Sequence, residues 1–105
     1  MNREKCYASY YDYETDTLNL DGAKPQPQFS RPGTFEGSRV MYSLENETPI
    51  GIVILAYDTM FRFENPELFW QLEGIVNPAI SEKIATKEEL DLLISRFHDP
   101  KIQPK

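Results

Sequence analysis

The segment from Tyr7 to Asp21 holds a dense set of groups able to do chemistry: Tyr7, Tyr10, Tyr11 and Tyr13 with Asp12, Glu14, Asp16 and Asp21, and no lysine or arginine. Tyrosine joins apolar area to a polar tip on few rotatable bonds, which suits it to binding surfaces. Acids at alternate positions of a strand lie roughly 6–7 Å apart, given a rise of about 3.3 Å per residue. That spacing coarsely imitates a row of phosphates, so Asp12, Glu14 and Asp16 suit a basic cleft of the kind that holds nucleic acid. The plainer reading is an edge hairpin whose charges block edge-to-edge pairing.

Other candidates are weaker. Cys6 and His98 have the types of a thiolate–imidazole pair. A small buried Cys6 and a His98 meeting the negative end of a helix explain them more simply. Glu64 with Glu67, and Glu88 with Asp91, are carboxylate pairs of the kind acid–base catalysis uses. Both sets fall at expected helix starts, where the dipole favours acids anyway. Asp12-Tyr13-Glu14-Thr15-Asp16 opens like a calcium loop, but the sixth and twelfth positions are Thr17 and Ala23 instead of Gly and Glu. With one histidine and one cysteine, a zinc centre lacks ligands. There is no nucleophile elbow, phosphate-binding glycine loop or dinucleotide fingerprint. No catalytic residue, cofactor or metal is expected.

The whole chain sets wider limits. Its 105 residues fit one domain spanning 1–105. A charged share of 27% and an apolar share of 40% are ordinary for a globular chain. Thirteen aromatics, six Tyr, six Phe and Trp70, favour a packed interior. The net charge of −6 disfavours direct binding to nucleic acid or to an anionic membrane, and permits docking on a basic protein surface. The polar start, Met1 to Cys6, lacks the apolar region of a secretory signal. The clean apolar run Ile50 to Tyr57 falls short of the roughly 20 residues of a membrane helix. A lone cysteine fits a reducing, cytoplasmic setting.

The elements that must position these groups follow from periodicity. Lys5–Tyr13 reads as a strand, with Tyr7, Ser9, Tyr11 and Tyr13 on one face. A turn at Glu14-Thr15-Asp16 leads into a partner strand, Thr17–Leu20. Gly22–Gly37 contains Pro25, Pro27, Pro32, Gly33 and Gly37 and reads as a long surface loop pinned by Phe29 and Phe35. Ser38–Leu44 and Ile50–Tyr57 form a hairpin closed by Glu45–Pro49, the second strand central and covered at least in part on both sides. Met60–Glu64 alternates as a strand burying Phe61 and Phe63. Asn65-Pro66-Glu67 starts a helix with Leu68, Phe69 and Leu72 inside and Gly74 as terminator. Asn77-Pro78 starts a short helical stretch through Ile84. Thr86-Lys87-Glu88-Glu89 is a capping box before Leu90, Leu93, Ile94 and Phe97, and Pro100 closes that helix before a polar tail, 100–105.

Strands first and helices last predict an α+β fold: a small antiparallel sheet of about four or five strands with two or three C-terminal helices on one face. The expected function is a non-enzymatic protein-binding module of inhibitor, immunity or adaptor type. Its acidic face would comprise Tyr7, Tyr11, Asp12, Tyr13, Glu14 and Asp16. The partner is a protein with a basic surface, such as a nucleic-acid-handling enzyme, and an unpaired strand edge leaves room for a homodimer. The alternative is a small enzyme or ligand-binding domain whose carboxylates and tyrosines meet only in three dimensions.

Overall fold

A computed structural model of the chain describes residues 8–22, 26–76 and 87–98. Five strands form one antiparallel sheet: β1 (Ala8–Asp12), β2 (Thr17–Asp21), β3 (Gln28–Pro32), β4 (Ser38–Ser43) and β5 (Pro49–Leu55). Their spatial order is β1-β2-β5-β4-β3, so β5 is the central strand. Behind them come a π-helical turn, Tyr57–Phe61, which runs into α1 (Arg62–Glu64), then α2 (Pro66–Val76) and α3 (Lys87–Ser95). The arrangement is α+β, with the sheet in the N-terminal part. No helix among the described residues is long and apolar enough to cross a membrane.

Alternation along the strands builds the core. Leu18 pairs with Ile54 and Leu20 with Ile52, while Val40 flanks Ile52 on the other side. All five side chains are buried, so one face of the sheet is a continuous apolar floor. Leu68, Phe69 and Leu72 of α2 and Leu90, Leu93 and Ile94 of α3 close over it, as the helical periodicity predicts. On the other face Val53 is half-buried and Leu55 is 50% exposed, so among the described residues the helices cover β5 on one side. Gly51 of β5 is fixed by space: a Cβ there would stand 2.8 Å from the Leu20 carbonyl oxygen.

Within the segment read as a long loop, Gln28–Pro32 is an edge strand. Its prolines and glycines exclude a central strand but not an edge one, since an edge needs donors on one side only. Pro32 ends the strand, and Phe29 stacks on Tyr42 at 5.4 Å. Phe35 meets Phe97 edge-on at 5.1 Å, so both phenylalanines do pin this segment to the body. The Thr34 amide, donating to the Phe97 carbonyl at 2.8 Å, ties it to the end of α3.

Three other expectations change. Met60–Glu64 is helical, because Ala56 adopts a left-handed conformation (φ 50°) that turns the chain out of β5. Two residues apart on a helix point roughly 200° apart, so Phe61 is buried and Phe63 is 74% exposed. The strand ends at Leu55, and Tyr57 belongs to the π-helical turn. Gly74 does not terminate α2, which continues to Val76, and Trp70 is half-exposed on its outer side. Cys6, Tyr7, the expected Asn77–Ile84 stretch, Thr86 and Pro100 lie outside the described residues.

Replacing Phe61 by Ala is expected to cost about 3–5 kcal/mol of stability, as for a fully buried aromatic. Phe63→Ala should stay within about 0.5 kcal/mol, as for an exposed position. Urea unfolding of the two variants checks this; equal losses would restore the strand reading.

Candidate functional site

The turn between β1 and β2 is built around Asp12 and Asp16. The Asp12 carboxylate accepts the Glu14 amide at 2.9 Å, a local turn that strong-turn residues favour. Asp16 is left-handed (φ 52°), which aspartate tolerates better than most residues. From there its groups reach the far end of β5. Its main-chain carbonyl accepts the Tyr57 amide at 2.9 Å. Its carboxylate accepts the Asp58 amide at 2.9 Å, the Thr59 amide at 3.0 Å and the Thr59 hydroxyl at 2.7 Å. The Tyr11 hydroxyl donates a fourth bond to it at 2.5 Å.

Desolvation pushes the Asp16 carboxyl up, but the bonds from Tyr11, Asp58 and Thr59 outweigh it and hold it below the ordinary 3.8. The Tyr11 phenol is pushed up to about 12, first by its hydrogen bond to Asp16 and then by burial. Tyr57 is raised further, by burial first and then by donating to the Glu73 carboxylate at 2.7 Å. Both phenols stay protonated across the physiological range.

These contacts enclose a cleft of about 420 Å³. Tyr11, Tyr13, Tyr57 and Phe69 form its aromatic walls, and Asp58 and Glu73 supply its charge. Tyr11 and Tyr13 meet edge-on at 4.9 Å between ring centres, and Tyr57 lies 4.8 Å from Phe69. Arg62 is outside this lining; it pairs with Asp58 at 3.1 Å and lies over the Phe69 ring at 5.3 Å. Leu18 and Val76 complete the lining. A second groove of about 450 Å³ between α2 and α3, lined in part by Trp70, Ile75 and Leu92, shares no residue with it.

The acidic tyrosine segment therefore divides. Tyr11 and Tyr13 line the cleft, Tyr13 being 87% exposed. Asp12 is half-buried and Glu14 exposed at the turn. Asp16 points its carboxylate inward as a hydrogen-bond acceptor for the π-helical turn. Tyr7 lies outside the described residues. Only Asp12 is in a strand, so the three acids do not form an extended row with phosphate-like spacing.

Reasoning from sequence missed Tyr57, Asp58, Phe69 and Glu73. No local pattern marks them, because Asp16 and Thr59 meet 43 residues apart and Tyr57 meets Glu73 across 16. His98 is engaged elsewhere, its Nδ1 sharing a 2.6 Å hydrogen bond with the buried Tyr42 hydroxyl. Among the described residues no group of three His, Cys, Asp or Glu side chains is placed to hold a metal ion.

No family model, curated protein or solved structure matches the chain.

Asp16→Asn should cost about 1–3 kcal/mol at pH 7, since amide and hydroxyl donors lose a charged acceptor. The folded-state pKa of Asp16 is lowered, so its contribution is present above 3.8 and is lost as pH falls through the lower folded value. The gap between native and variant protein in urea unfolding should accordingly shrink on going from pH 7 to below about pH 3. In a spectrophotometric titration the same variant should bring the Tyr11 phenol down from about 12 towards 10.

Proposed function

We propose that the chain is a non-enzymatic protein-binding module of inhibitor, immunity or adaptor type, working in the cytoplasm and docking a basic protein surface at the β1–β2 end. The observation that carries this reading is the cleft, where tyrosine rings and carboxylates gather beside the exposed Glu14 and Tyr13. Tyrosine-rich surfaces contribute contact area at low entropic cost. The charge of −6 steers a basic partner towards the molecule. A nucleic-acid-handling enzyme remains one member of that partner class. Charge complementarity supports it, and a strand-like row of acids does not.

The cleft also gives the enzyme or ligand-binding reading its best support, since perturbed side chains in a concavity often mark active sites. The direction of the shifts argues against catalysis. A general acid or base works best with a pKa near the operating pH. Tyr11 and Tyr57 are moved away from it, and Asp16 is held ionised by four donors. Such groups hold a shape and present acceptors.

The test is an affinity capture from source lysate, eluted in rising salt, with native bait beside an Asp12→Asn/Glu14→Gln double variant. These changes remove surface charge while keeping Asp16 and the turn acceptor at position 12. A basic protein retained by the native bait and released at clearly lower salt from the variant is the expected outcome. Equal retention on both baits, or none on either, contradicts the reading.

A further inference from the structure

The polar side-chain atoms that line the cleft, the hydroxyls of Tyr11, Tyr13 and Tyr57 and the carboxylates of Asp58 and Glu73, all have acceptor capacity. The Tyr11 and Tyr57 hydroxyls spend their protons on Asp16 and Glu73, so each phenol oxygen turns only lone pairs to a ligand. Asp58, which also pairs with Arg62, and Glu73, which accepts the Tyr57 hydroxyl, add carboxylate oxygens. Between them lie flat rings, of which Tyr13 is the most exposed. Acceptors combined with ring faces are complementary to a group that is cationic, planar, rich in donors and free of acceptors. Among side chains that description fits the guanidinium.

The molecule also places a guanidinium of its own, outside the cleft lining, against two of the lining residues. Arg62 sits over Phe69 at 5.3 Å and pairs with Asp58 at 3.1 Å, and both of those residues line the cleft. Lysine is a poorer match. Its compact ammonium is strongly hydrated and does not stack, whereas the guanidinium is weakly hydrated and lies flat on rings.

We propose that the cleft receives an arginine side chain of the partner, its guanidinium lying against Tyr13 and Tyr11 and facing the carboxylates of Asp58 and Glu73. This deepens the binding-module reading and rests on it. The cleft then supplies the specificity, and the surrounding acids at Asp12 and Glu14 supply the attraction.

The test is an NMR titration of the full chain with the blocked tripeptide acetyl-Gly-Arg-Gly-amide, followed through the tyrosine ring and backbone amide signals. The same peptide with citrulline keeps the shape and removes the charge, and one with lysine keeps the charge and removes the plane. Saturable shifts at Tyr11, Tyr13 and Tyr57 with arginine, weaker shifts with lysine and none with citrulline are expected. Tyr13→Ala and Asp58→Asn, both at exposed positions, should each weaken binding about twofold to fivefold, the loss of one exposed cation–π or ion-pair contact. The inference is overturned if citrulline binds as well as arginine, if lysine binds as tightly, or if the three rings do not shift. A partner captured in the lysate experiment while the rings stay unmoved by arginine would overturn this inference alone. Failure in both experiments would overturn the wider reading with it.

Discussion

One carboxylate joins the two halves of this molecule at the site. Asp16 sits in the turn between the first two strands, and its carboxylate accepts the second and third amides of the helical turn that starts at Tyr57, together with a threonine hydroxyl and a tyrosine hydroxyl. The first amides of any helix have no partner within the helix and favour a negative charge beside them. Here the negative charge comes from a distant hairpin instead of from a residue just ahead of the helix, and Ala56 offers no side-chain cap of its own. The bond therefore serves two purposes: it ends β5 in a helix and it holds the hairpin against that helix.

The cleft follows from that junction. Tyr11 is turned towards Asp16 and Tyr57 towards Glu73, so the two phenols are held with their rings in the wall and their protons directed into the protein. Negative charge at the site is thus of two kinds. Asp16 is satisfied internally and contributes shape, while Glu14 stands exposed and contributes field. Acidity measured only by counting residues would treat them alike. Tyr11 and Tyr57, committed as donors, keep their protons near neutral pH and leave acceptor oxygens beside the carboxylates.

The architecture was legible where periodicity and local chemistry agree. The i, i+3, i+4, i+7 pattern at Leu90, Leu93, Ile94 and Phe97 and the Asn65-Pro66 start read as helices because those signals act within a few residues. The alternating strands read well for the same reason. Met60–Glu64 misled because five residues of alternation fit a strand and a single helical turn equally, and the arbiters are the left-handed Ala56 and the bonds to the distant Asp16. Gln28–Pro32 was hidden by its proline and glycine neighbours, which punctuate an edge strand as readily as a loop. Of the site, Tyr11 and Tyr13 were visible as an aromatic, acidic cluster. Their partners Tyr57, Asp58, Phe69 and Glu73 were not, since strand pairing, the Asp16 bonds and the packing of α2 bring them near from distant parts of the chain.

The central claim is that Asp16 holds the π-helical turn and, through it, the cleft. Amide hydrogen exchange on native and Asp16→Asn protein tests it most directly, because the two amides concerned, Asp58 and Thr59, report on those bonds themselves. The account predicts that both amides are protected in the native protein. In the variant they should lose at least about tenfold more protection than Ile52 and Ile54 of the central strand, the equivalent of one hydrogen bond to a charged group. Exchange at Asp58 and Thr59 that changes no more than at Ile52 and Ile54 would contradict it, and would return Asp16 to the surface as an ordinary solvated charge.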